Sequence, residues 1–258
     1  MSHSTEYRRI LARLGYYDYQ SGLIYRHLNQ EGGWDTHLEK SRDYIMRMIA
    51  HFRPEKITVL GSGWLLDLPV AEIIEQTGNL TLVDIVHPPE VIKQAGAYKN
   101  VTLIEADVTG GLIEEVWNKA GGISLFKKQV KLNEIVIPEY TPDTVQGFVI
   151  SLNLITQLES LLVDFLKKRI KATEEDYAAF RTEIQKKHLE FLMKQRSVLI
   201  TDYEEIFTSR SGETKIVPTL LTQLPEGNFS EEWTWNFDLQ GADNYNSTSL
   251  MKVIAKSF

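Results

Sequence analysis

The chain predicts an α/β fold: a mostly parallel, seven-stranded sheet that closes in an antiparallel hairpin, with a helical cap ahead of it. Three observations predict this. From residue 57 to about residue 202, strand-like apolar runs alternate with helical segments, which implies parallel pairing with crossover helices on both faces. The first strand runs directly into a glycine turn, in Ile57-Thr-Val-Leu-Gly-Ser-Gly-Trp-Leu-Leu-Asp67. The last two strand-like segments have no helix between them, so they form an antiparallel pair.

Residues 1–54 read as helices broken by turns, and are expected to form a cap on a main domain of residues 55–258. Tyr16-Tyr-Asp-Tyr19 precedes Ser21-Gly22, and Glu31-Gly-Gly-Trp-Asp35 marks a turn. Beyond Asp35 the apolar Leu38, Tyr44, Ile45, Met48 and Ile49 recur near helical spacing, until Pro54 stops the helix. Strands are expected at 57–60, 80–85, 101–105, 147–151 and 197–202. Helices are expected near 67–77, 89–97, 111–119, 152–170 and 174–195, the last opening on the acidic capping pattern Thr173-Glu-Glu-Asp176. Between them Gly121-Gly122, Pro138 and Pro142 mark a long connection, the kind that often carries binding loops. Alternation in Glu231-Glu-Trp-Thr-Trp-Asn-Phe-Asp-Leu239 and Leu250-Met-Lys-Val-Ile-Ala-Lys-Ser-Phe258 gives the closing hairpin, joined by a loop over 241–248.

At 258 residues the chain is long enough to bury a sizeable core. A net charge of −7 argues against a nucleic-acid surface, which needs clustered Lys and Arg. Lys127-Lys128 and Lys186-Lys187 read as solvated faces. With no cysteine, disulfides, thiolate metal sites and a Cys nucleophile are excluded. The six histidines show no metal-ligand spacing, so no metal is expected. No apolar stretch reaches the roughly 18 residues a membrane span needs. The first residues lack the apolar core of a signal peptide, and a cytoplasmic location is expected.

The strand, the turn at Gly61, Ser62 and Gly63, and a second strand Leu80-Thr-Leu-Val-Asp84 ending in an acid form a nucleoside-binding order. The turn lets a ligand approach the backbone, and the acid accepts hydrogen bonds from ribose hydroxyls. An adenosine-containing small molecule is the expected ligand. Each residue also has a plainer reading. The glycines alone make a tight turn, Asp84 is placed to cap a helix, and Asp107 precedes Val108-Thr-Gly-Gly111 as a turn former. Asn153 and Gln157 lie one helical turn apart, either orienting a substrate or satisfying backbone groups at a helix start. Asp67 reads as an N-cap ahead of Pro69, and His87 as a loop histidine. Trp34 and His37, with tyrosines 16, 17 and 19, either close over a site or pack the cap onto the main domain. Asp202-Tyr-Glu-Glu205 follows the fifth strand as a base or a cap.

On these motifs the chain resembles the class I S-adenosylmethionine-dependent methyltransferases, a Rossmann-like superfamily, over roughly residues 55–258. The resemblance implies S-adenosylmethionine as cofactor and a small molecule as methyl acceptor. It implies that Gly61, Ser62 and Gly63 lie beside the methionine part and Asp84 binds the ribose. By the same resemblance Asp107 lies near the adenine amino group. The segment Ser151-Leu-Asn-Leu-Ile-Thr-Gln157 is where substrate and cofactor meet, with Asn153 toward the cofactor. Trp34, His37 and Gln157 are the matching substrate-side candidates.

Three positions depart from the family pattern. Val59 stands where an acid is usual and Leu65 where a third glycine is usual, and bulky Trp64 sits inside the turn. They motivate an alternative, a non-catalytic nucleoside-binding or interaction protein on the same scaffold. A nicotinamide-dependent oxidoreductase also uses such a turn. However, none of the eleven tyrosines has Lys four residues on.

Overall fold

Helices α1 (Thr5–Leu14), α2 (Tyr16–Asn29) and α3 (Asp35–Phe52) precede the first strand. Strands β1 (Lys56–Leu60), β2 (Asn79–Asp84), β3 (Val101–Glu105) and β4 (Phe148–Leu152) then alternate with α4 (Val70–Gln76), α5 (Pro89–Ala95) and α6 (Leu112–Ala120). Helices α7 (Ser160–Lys167) and α8 (Glu174–Met193) lead to β5 (Ser197–Ser209), β6 (Thr214–Pro218), β7 (Asn228–Asp238) and β8 (Ser247–Ser257). The structure, a computed structural model, describes residues 3–121, 130–142, 145–241 and 247–258. Gly122, the Lys127-Lys128 pair and most of the 241–248 loop lie outside the described residues.

The sheet has eight strands in the order β3-β2-β1-β4-β5-β8-β7, with β6 on β5 beside that path. The pairs among β1 to β5 are parallel, and β8 inserts antiparallel between β5 and β7. This is the Rossmann-like sheet with a closing antiparallel hairpin that the sequence predicts, with one more strand. β5 runs on past residue 202 through a register shift between Asp202 and Glu204, and its far half pairs with β6. The missed strand, Thr-Lys-Ile-Val-Pro, is exposed along most of its length and so carries no buried alternation.

Burial explains the strands. β1 and β4 are apolar and buried on both faces, as parallel strands covered by helices must be. β7 instead alternates, placing Trp233, Trp235 and Phe237 on one buried face. That face meets α3, whose Tyr44 hydroxyl donates to the Phe229 carbonyl at 2.8 Å. Two cores flank the sheet, one packed by α1, α6, α7 and α8 and the other by α3, α4 and α5. Thus α1 and α3 grip opposite faces, and α2 crosses the strand ends between them with no buried residue of its own. Gly15, at φ 88°, supplies the left-handed corner between α1 and α2.

The capping box at Thr173 and Asp176 forms, with the Thr173 hydroxyl accepting from the Asp176 amide at 3.1 Å. The helix expected over 152–170 is shorter. Residues 153–159 are a turn segment, and α7 begins at Ser160. Asn153 sits at φ 46°, which an α-helix cannot continue from. Among the described residues, no helix is long and apolar enough to cross a membrane.

Candidate functional site

The strand order reverses between β1 and β4, where crossovers leave the sheet in opposite directions and open a crevice at the strands' carboxyl ends. A cleft of about 1130 Å³, counting its open mouth, lies there. Gly61, Gly63, Trp64 and Asp67 line it after β1, with Asp84 and Ile85 after β2. Ala106 and Asp107 follow from β3, and Asn153, Leu154 and Gln157 from β4. Tyr16, Tyr19, Gln20 and Leu23 of α2 roof it.

The glycine turn is held by β2. The Gly61 and Ser62 amides both donate to the Val83 carbonyl, at 2.9 and 3.3 Å. The Gly63 amide donates to Asp84 Oδ2 at 2.7 Å. Gly61 has φ 80°, and a Cβ there would meet the Leu152 carbonyl oxygen at 2.7 Å, so the two strand ends touch through a residue that must be glycine. Leu65, in place of the family's third glycine, adopts φ 59° with its side chain buried. The turn therefore keeps a left-handed residue there, at a steric cost of about 1–2 kcal/mol. Trp64 leaves the cleft open: its indole N–H donates to the Gln20 carbonyl at 2.9 Å, fastening α2 as a roof.

Three carboxylates face the cleft. Asp84 Oδ1 accepts from the Ile85 amide at 2.8 Å and from Gln20 Nε2 at 3.4 Å. Burial raises its pKa, opposed first by the Gly63 hydrogen bond. Asp107 Oδ1 accepts from the Thr109 amide at 2.9 Å and from its hydroxyl at 2.5 Å, so it shapes the turn into α6 while lining the cleft. Asp67 is not the cap that the sequence suggests. Pro69 precedes α4 with no side-chain cap, and Asp67 Oδ2 accepts from Asn153 Nδ2 at 2.7 Å. Burial pushes its carboxyl up to about 6.

Asn153 and Gln157 come together through a turn and share no helix face, since Gln157 Nε2 donates to the Asn153 carbonyl at 2.5 Å. Asn153 Oδ1 is buried with no partner among the described residues. His37 is almost fully buried and its ring stacks on Trp235, centroids 3.9 Å apart. Its Nδ1 accepts from the Trp233 indole at 3.1 Å. An indole nitrogen donates only, so the His37 proton sits on Nε2, which lies 3.1 Å from Asn153 Nδ2, a second donor that makes no hydrogen bond with it, and 4.0 Å from Asp67 Oδ2. Burial lowers its pKa to about 3, and the ring is neutral. Trp34 packs on Trp235 and Phe237 and donates to the Phe237 carbonyl at 3.0 Å while lining the cleft.

Several residues singled out in the sequence stand away from the cleft wall. Tyr17 is exposed, and Ser62 is buried beneath the turn, its hydroxyl without a partner among the described residues. His87 meets the Ile104 carbonyl at 3.2 Å. Asp202 lies inside β5 and accepts from the Thr156 hydroxyl at 2.7 Å. Asp67, which the sequence presents as a cap, lines the site instead, and Gln20 joins it without any local sequence signal.

The strand order and the crevice define a Rossmann-like, mostly parallel sheet with a closing antiparallel hairpin. No protein-family model matches the chain and no curated protein does. Among solved structures, one similar chain is the Burkholderia thailandensis 1,6-didemethyltoxoflavin-N1-methyltransferase with bound 1,6-didemethyltoxoflavin and S-adenosylhomocysteine. It is 12% identical with TM-score 0.41, covering 99% of this chain and 92% of that one. The N-methyltransferase NodS of Bradyrhizobium japonicum is 9% identical with TM-score 0.35, over 84% and 86% of the two chains. At these identities and scores, the likeness assigns neither activity nor substrate.

Proposed function

We propose that this chain is an S-adenosylmethionine-dependent methyltransferase acting on a small molecule. One observation carries the reading: an open, roofed crevice at the switch point, whose glycine turn is clipped to the acid ending β2. The residues fit the cofactor. Gly61 and Gly63 bring backbone close to the cleft, and the unpartnered Asn153 Oδ1 and Gln20 Oε1 are free to accept hydrogen bonds. Asp84 and Asp107 stand ready for the nucleoside, and Asn153 for the amino-acid end.

S-adenosylmethionine supplies a methyl carbon that is already electrophilic. The protein's part is alignment and exclusion of water. Tyr16, Tyr19, Gln20 and Leu23 of α2 serve as the water-excluding roof. Trp34, His37 and Gln157 shape the acceptor side. A net charge of −7 and a roofed cleft without Lys or Arg in its described lining favour a small substrate over nucleic acid.

Titration calorimetry with S-adenosylhomocysteine, with NAD as control, tests the assignment. Micromolar binding of the first alone supports it. Binding without turnover of any acceptor would favour the non-catalytic scaffold, and binding of NAD alone an oxidoreductase.

A further inference from the structure

We propose that the methyl acceptor is an amine that enters as a cation, bound at Asp67 against the aromatic wall formed by Trp235 and Trp34. This rests on the methyl-transfer reading and names its substrate class.

The described lining of the crevice contains the carboxylates Asp67, Asp84 and Asp107 and no Lys or Arg. His37 adds no charge, because burial keeps it neutral. Of the described lining atoms without a partner, Asn153 Oδ1 and Gln20 Oε1 are acceptors and the Trp235 indole N–H is a donor. Tyr16, Tyr19, Trp34, Trp64 and Trp235 supply aromatic surface. Carboxylates and aromatic faces without a competing cation attract ammonium groups, and they repel carboxylate or phosphate substrates, whose charge would be buried unpaired.

The cleft has two ends. Asp84 and Asp107, after β2 and β3, belong to the nucleoside reading. Asp67 lies at the other end, within 4.0 Å of His37 Nε2, and His37 stacks on Trp235, which meets Trp34 edge to face at 4.9 Å. Asp67 Oδ2 accepts from the Asn153 amide at 2.7 Å, and a backbone amide also supports its carboxylate. Arg42 of α3, exposed and bonded to the Leu66 carbonyl, is the cation whose field reaches Asp67, and it does not line the cleft. Asp67, linked through the neutral His37 ring to the Trp235–Trp34 wall and with Arg42 outside the cleft lining, is the carboxylate placed to receive an ammonium group.

The step balances. The bound R–NH3+ gives one proton to the Asp67 carboxylate. The freed nitrogen lone pair forms the N–C bond as the methyl C–S bond breaks, and that electron pair stays on sulfur. The product leaves as R–NH2+–CH3, and Asp67 releases its proton to solvent.

The test uses matched probes of one skeleton, 2-phenylethylamine, 2-phenylethanol and phenylacetate, titrated by calorimetry into protein saturated with S-adenosylhomocysteine. The amine is expected to bind at least tenfold more tightly than the other two. Asp67→Asn should erase that preference while leaving S-adenosylhomocysteine binding intact, and Asp67→Glu should retain it. The wild-type series stands without any variant. Equal or tighter binding of phenylacetate, no binding of the amine, or a preference that survives in Asp67→Asn overturns the proposal. Failure to bind S-adenosylhomocysteine is a separate result and overturns the cofactor reading beneath it.

Discussion

The Gly63 amide donates to the Asp84 carboxylate at 2.7 Å, so the acid ending β2 fastens the glycine turn as well as facing the cleft. Asp84→Ala leaves the Gly63 and Ile85 amides without this acceptor. Loss of a buried partner of this kind costs about 1–3 kcal/mol. Urea denaturation should show that loss, and S-adenosylhomocysteine affinity should fall at least tenfold. Asp84→Asn keeps one acceptor oxygen and should lose less stability but much of the affinity. Unchanged binding by a folded Asp84 variant would sink the assigned role.

Leu65 holds a backbone conformation that favours glycine, yet its side chain is buried in the core packed by α3, α4 and α5. Replacing it by glycine relieves about 1–2 kcal/mol of strain but removes a buried leucine, whose loss costs about 2–5 kcal/mol. Leu65→Gly is therefore expected to be destabilised by up to about 4 kcal/mol on those figures, with about 2 as the midpoint. S-adenosylhomocysteine binding should be retained. A more stable variant would show that packing at Leu65 contributes little.

Trp64 and Gln20 fasten α2 over the cleft through the indole N–H. Trp64→Phe keeps the ring and removes that donor. Because α2 buries no residue of its own, amide hydrogen exchange over residues 16–29 should accelerate while the strands stay protected. Exchange unchanged in α2 would mean that other contacts hold the roof.

Glu159 is fully buried, accepts from Arg181 Nε at 3.1 Å and Gln185 Nε2 at 3.0 Å, and has one oxygen without a partner among the described residues. Burial raises its pKa from 4.5 to about 7, against the pull of Arg181. The folded protein thus keeps a proton that the unfolded chain has released. Stability from this group is complete below about pH 4.5 and falls as pH rises toward about 7, by about 1.4 kcal/mol per pH unit at most. Glu159→Gln should flatten stability across that window. Asp67, pushed up to about 6, adds a decline of the same sign at lower pH. A variant whose stability still falls between pH 6 and 7 would assign the effect to another group.

The central sheet was legible because β1, β2 and β4 are short apolar runs that must be buried on both faces. The closing hairpin was legible because Trp233, Trp235 and Phe237 alternate. β6 was not, since an exposed edge strand needs no buried pattern. Apolar Leu154, Ile155 and Leu158 make residues 153–159 resemble the start of a helix, and the sequence alone does not show the turn. Its conformation is set instead by long-range contacts, including Thr156 to Asp202. In the site, the glycine turn and Asp84 announced themselves by position after a strand. Asp67 did not, because its partner Asn153 is remote in sequence. The tautomer of His37 depends on Trp233, a partner on the closing hairpin that no local pattern reveals.

The measurement that tests the central claim most directly is calorimetric titration of the wild-type chain with S-adenosylhomocysteine, repeated with Asp84→Asn. The account expects one site per chain of micromolar affinity, weakened at least tenfold in the variant. A folded wild-type protein that takes up no S-adenosylhomocysteine would contradict it.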